Sequence, residues 1–110
     1  MDEATFLLET EKLLLQLEAA IETAVEVAGV DVDVDMQAGG ILQLVFENDS
    51  QIIINRHAVA RQVWVAARAG GFHFRPEDGL WLDSRDGREL WVTLAELISQ
   101  QAGVPVTLTR

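Results

Sequence analysis

Three short segments of alternating character stand so close together that the chain has little choice of topology. VDVDVDM (30–36), ILQLVFE (41–47) and QIIIN (51–55) are separated only by QAGG (37–40) and NDS (48–50). Parallel neighbours need a crossover of about a dozen residues or more, so connections this short dictate antiparallel hairpins. Further strands are expected over QVWVAA (62–67), GFHF (71–74) and LWLD (80–83). Gly70-Gly71, PEDG (76–79) and SRDG (84–87) read as the turns between and after them.

Helical periodicity flanks this meander. From Thr5 to Ala28 the apolar residues Phe6, Leu13, Leu17, Ile21 and Ala24 share one face, and Gly29 is a natural stop. A second helix is expected over about 87–101, started by a capping box of Asp86 and Glu89. Its apolar face is Leu90, Trp91, Leu94, Leu97 and Ile98, and Gly103 and Pro105 end it. Strands grouped between two helices predict an α+β fold, a two-layer sandwich with an antiparallel sheet covered on one face by both helices. The other sheet face then looks at solvent. Alternation turns Leu42, Leu44, Phe46, Ile52, Ile54, Val63 and Val65 inward. It turns Gln43, Val45, Glu47, Gln51, Ile53, Asn55, Gln62 and Trp64 outward, which puts an indole on an open polar face. Trp81 and Trp91 are assigned to the core. With 110 residues, 49% of them hydrophobic, residues 1–110 are read as one domain.

Composition removes several functions. The absence of cysteine excludes a disulfide, a thiolate metal site, a cysteine nucleophile and a persulfide carrier. No apolar run approaches the roughly 18–20 residues that cross a bilayer, and the acidic start MDEATFLLETEK is unlike a signal peptide, so a cytoplasmic location is expected. The net charge of −10 is lopsided: residues 1–50 hold 12 Asp and Glu against Lys12 alone, whereas residues 51–110 hold 6 against 7 Arg. Such a surface repels nucleic acid and attracts metal cations and basic protein surfaces. Gly70-Gly71 belongs to no phosphate-binding pattern, and His57 and His73 follow no metal-ligand spacing. No residue is assigned a catalytic or cofactor-binding role.

The acidic half has a pattern of its own. Asp31, Asp33 and Asp35 would line one side of a strand, with Val30, Val32 and Val34 on the other. Glu11, Glu18, Glu22 and Glu26 fall on the helix face turned away from the apolar stripe. Like charges four apart cost a helix about 0.2–0.5 kcal/mol per pair, which recurs at 18/22 and 22/26. Read from the residues alone, the aspartates are a charged edge strand that discourages unwanted pairing. Carboxylates two apart in a strand sit about 6.5–7 Å from one another. An ion that needs oxygen at about 2.0–2.6 Å is not easily shared between two of them. The pattern therefore suits shallow carboxylate–water sites for hard cations such as Fe²⁺, Fe³⁺, Mn²⁺ or Ca²⁺, not a closed cage.

Residues 46–74, FENDSQIIINRHAVARQVWVAARAGGFHF, resemble the frataxin family in its bacterial form. The features that carry the likeness are the FEN turn, the S-x-I-I-I-N-R strand, the Q-V-W that follows and the GG-aromatic-H-F segment. The acidic helix upstream and SQQAG downstream extend it over about residues 6–103. The resemblance implies an α-meander-α sandwich that binds iron, Fe²⁺ or Fe³⁺, weakly on an acidic ridge. It implies a non-enzymatic accessory role in iron–sulfur cluster assembly, with a cysteine desulfurase and a scaffold protein as partners; a monomer is expected, with the oligomeric state not read from the sequence. By the same likeness the ridge is Glu18, Glu22, Glu26, Asp31, Asp33 and Asp35, with Glu11 further up the helix. The partner-facing residues are Asn55, Gln62 and Trp64. His57 and Val59 depart from the Gln and Pro usual in the family, which implies a looser connection with altered contacts. The first helix lacks the doubled acidic pairs of many members, which implies fewer bound ions. The rival readings are a ferroxidase or iron-storage protein using ridge carboxylates, and an acidic module that binds basic proteins without metal.

Overall fold

The computed structural model describes residues 1–110. The Asp2 carboxylate accepts a hydrogen bond from Thr5 N at 2.8 Å and caps helix α1 (Glu3–Ala28), which Gly29 ends in the left-handed conformation at φ 72°. That bond holds the Asp2 carboxyl below the ordinary carboxylate range. The face Phe6, Leu13, Leu17, Ile21 and Ala24 is buried, as the periodicity requires, and Leu14 and Val25 widen it. Thr10 is also buried, its hydroxyl donating to Phe6 O at 2.7 Å.

Six strands follow: β1 (Val32–Gln37), β2 (Ile41–Phe46), β3 (Gln51–His57), β4 (Gln62–Ala67), β5 (Gly70–Glu77) and β6 (Leu80–Asp83). Each pairs antiparallel with its neighbours in chain order, and helix α2 (Leu90–Ala102) closes the layer on the inner face. The inward set named from alternation is buried without exception, together with Phe74 and Trp81. The outward set is half-buried or exposed, so the fold is the expected two-layer α+β sandwich with one open sheet face.

Several boundaries differ from the expectation, for identifiable reasons. β1 begins at Val32 rather than Val30, so Asp31 precedes the strand and remains exposed. β3 runs on to His57, because Asn55, Arg56 and His57 pair with Trp64, Val63 and Gln62. Gly70 and Gly71 are not the turn; they belong to β5 and pair with Ala67 and Ala66, leaving Arg68-Ala69 as the turn. Pro76 and Glu77 likewise pair within β5, and the turn is Asp78-Gly79, both at positive φ as a tight hairpin requires. α2 starts at Leu90, with Glu89 and not Asp86 as its cap; the Glu89 carboxylate accepts from Trp91 N at 3.0 Å. An isolated bridge from Leu82 to Glu89, and Asp83 N donating to Arg88 O at 2.7 Å, keep that segment extended until the helix begins. Further along α2, Glu96 accepts a hydrogen bond from the Arg88 guanidinium and raises its pKa.

Two stitches lock the layers. Buried Gln101 accepts from Arg68 N at 3.1 Å and donates to Ser50 Oγ at 2.9 Å and Gln51 O at 3.2 Å, so the end of α2 holds two sheet turns. The C-terminal segment folds back along α2: Val106 is buried and Ser99 Oγ accepts from its N–H at 2.8 Å. Arg110 then pairs with Glu89 at 2.7 Å and lies over the Trp91 ring at 5.2 Å.

Candidate functional site

The acidic residues are arranged in two rows beside one sheet edge. β1 is the edge strand, and Asp33 and Asp35 stand opposite Val45 and Gln43 on the open face. Val32, Val34 and Met36 pack the other way, onto the core. α1 lies over β1, with its flank of Glu11, Leu14 and Leu15 sharing a cleft with Met36, Gln37, Gly40 and Arg56. Glu18 and Glu22 extend that same flank toward the helix end, with Glu26 turning further to solvent. The rows are similar in length: eight helical steps from Glu18 to Glu26 rise about 12 Å, and four steps of extended chain from Asp31, just before β1, to Asp35 span about 13 Å.

The chain itself does not neutralise this charge. None of Glu11, Glu18, Glu22, Glu26, Asp31, Asp33 and Asp35 forms an ion pair; the five pairs in the protein use other acids. Six of the seven are exposed and Glu18 is half-buried. No three His, Asp or Glu side chains converge into a group that could hold one metal ion. Hard oxygen donors at wide spacing can gather cations by field and by shared water, each held loosely.

Asn55, Gln62 and Trp64, the residues expected to face a partner, lie on the same open sheet face as Asp33 and Asp35, and a ladder of amides runs inward from Asp35 as far as Gln51. Gln37 Nε2 donates to Asp35 Oδ2 at 3.3 Å and to Gln43 Oε1 at 2.6 Å, and Gln43 Nε2 donates to Gln51 Oε1 at 3.1 Å. Beyond this ladder Asn55 stands directly opposite Trp64, whose Nε1–H donates to Gln62 Oε1 at 2.8 Å. Trp64 is half-buried, and the reason lies in two residues that the sequence reading set aside. The His57 ring stacks on one side of the indole at 3.8 Å between centroids and 14° between planes. His73 stacks on the other side at 4.2 Å and 10°. The missed signal was the alternation itself, which places Asn55 and His57 on one face of β3 and Gln62 and Trp64 on the same face of β4. Only the strand register brings the three rings into one column. Val59, the other departure, is an exposed turn residue.

Comparison with known proteins places this geometry in a family. Residues 1–104 match the family model described as the frataxin-like domain. A protein of Cupriavidus metallidurans named iron-sulfur cluster assembly protein CyaY is 47% identical over 108 residues, covering 98% of this chain and 96% of its own. Its namesake from Dechloromonas aromatica is 44% identical over 108 residues, covering 98% and 99%. Among solved structures, frataxin from Psychromonas ingrahamii superposes with a TM-score of 0.84 at 34% identity, over 100% of both chains. Trimeric frataxin from the yeast Saccharomyces cerevisiae, solved in a ferrous complex, shares the fold with a TM-score of 0.75 at 24% identity over 86% of each chain. The chain belongs to the frataxin family, in its bacterial CyaY branch.

Proposed function

We propose that this chain is a non-enzymatic accessory protein of iron–sulfur cluster assembly. It gathers iron weakly, as cargo, along the carboxylates of α1 and β1. It docks on a cysteine desulfurase and a scaffold protein through that ridge and through the open sheet face at Asn55, Gln62 and Trp64. The observation that carries the reading is the pair of carboxylate rows of which no member forms an ion pair. Asp33 and Asp35 share the open sheet face with Asn55, Gln62 and Trp64, which supports one surface meeting both metal and protein. The names of the CyaY relatives support the pathway. The lack of cysteine keeps the role accessory, since the chain can neither carry sulfur nor bind a cluster by thiolates. Iron reaching the ridge replaces carboxylate–carboxylate repulsion by attraction and keeps part of its water shell, so it can be passed on. The test is a desulfurase–scaffold assembly assay run with and without the protein across a ferrous titration. The expected result is an iron-dependent change in the rate of cluster formation, abolished when Glu18, Glu22, Asp31 and Asp33 become amides. A rate indifferent to the protein at every iron concentration refutes the role, and turnover of ferrous iron with oxygen consumption by the protein alone replaces it with a ferroxidase.

A further inference from the structure

His57, Trp64 and His73 come from three neighbouring strands and form one face-to-face column. We propose that the two histidines are positioning residues that clamp Trp64 upright, so that a docking partner meets the outer edge of the indole and never its face. The inference rests on the partner-facing reading of Trp64 above.

Strand spacing is about 4.8 Å, so rings stacked at 3.8 and 4.2 Å stand on edge from the sheet with their normals running across the strands. Both π faces of Trp64 are thereby covered, and its indole N–H is taken by Gln62. An aromatic ring or a guanidinium arriving from a partner finds no face to stack on; what remains is a rim of C–H edges suited to aliphatic side chains and carbonyl oxygens. Each jaw of the clamp is anchored. The His57 Nδ1 accepts from Ala60 N at 3.2 Å, which fixes the ring against the β3–β4 turn. The His73 carbonyl accepts from Ser84 N at 2.9 Å, which ties its backbone to the turn after β6. The same geometry argues against a metal pair: the indole separates the imidazoles, whereas metal-binding nitrogens must converge in their ring planes. A tryptophan on an open sheet face would otherwise sample several rotamers and lose that freedom on binding. Clamping it beforehand removes the loss, so the histidines contribute affinity without touching the partner.

The experiment measures calorimetric affinity for a purified bacterial iron–sulfur scaffold protein, with the NMR order parameter of the Trp64 indole N–H read on the free protein. His57→Ala and His73→Ala are each expected to weaken scaffold binding by about two- to tenfold and to lower the order parameter, with little change in melting temperature. His57→Phe and His73→Phe restore a flat ring; His73→Phe keeps its backbone anchor and should restore both readouts, and His57→Phe, which loses the bond from Ala60 N, should restore them in part. In a Trp64→Ala background, His57→Ala should have no further effect. Scaffold affinity unchanged by Trp64→Ala would overturn the partner-facing reading itself. If Trp64→Ala weakens binding while both alanine variants bind and order the indole as wild type does, the clamp is refuted. Failure of the phenylalanine variants to rescue refutes stacking as its basis.

Discussion

Neutralising the ridge should make the protein more stable and less able to bind iron, and these opposite signs make the prediction demanding. In the variant Glu18→Gln, Glu22→Gln, Asp31→Asn, Asp33→Asn, four like-charge pairs disappear: 18/22 and 22/26 on α1, 31/33 at the entry to β1 and 33/35 within it. The helical pairs contribute about 0.2–0.5 kcal/mol each. Charges about 7 Å apart in water repel by about 0.6 kcal/mol, and a screening length of about 8 Å at physiological salt cuts that to roughly 0.25 kcal/mol. Together the substitutions should stabilise the fold by about 1 kcal/mol, since no ion pair is lost. For a domain of this size that is a rise in melting temperature of about 4 °C, larger at low salt. The assay pairs thermal unfolding at two ionic strengths with ferrous titration by calorimetry. Undiminished ferrous affinity refutes the ridge as the iron surface, and a lower melting temperature refutes the repulsion argument.

Three further outcomes follow from named contacts. Trp64→Ala should cost well below the roughly 3–5 kcal/mol of a truncated core aromatic while weakening scaffold binding; a core-sized loss on thermal unfolding refutes its place on the open face. Gln101→Ala strands the amide of Arg68 and two acceptors at the β2–β3 turn, Ser50 Oγ and Gln51 O, and should destabilise by about 1–3 kcal/mol in a denaturant melt without altering metal binding. Asp2 has a folded pKa lowered by the Thr5 N–H, so its contribution is complete above the ordinary carboxylate value and fades as pH falls through the depressed one. The gap in melting temperature between wild type and Asp2→Ala should therefore be full at pH 6 and shrink steadily below about pH 4; a gap that widens on acidification contradicts the cap.

The sequence by itself determined the layer order, the antiparallel meander and the buried faces, because local periodicity and turn length dictate these without knowledge of neighbours. Leu42, Leu44, Ile52, Ile54, Val63 and Val65 could only face inward once the alternation was read. The seven carboxylates were legible as two like-charged rows, and the family likeness suggested the use proposed for them above. Tertiary structure alone decided what depends on register and on distant partners. Glu89 caps α2 because Leu82 and Asp83 hold the preceding segment extended, which no capping pattern announces. Gln101 is buried because turns about fifty and thirty residues away supply its partners. His57 and His73, 16 positions apart in the sequence, meet the same indole only because β3, β4 and β5 pair in one particular register. A one-residue slip would turn one of the three rings to the opposite face, so their stacking is a property of the sheet and not of any segment within it.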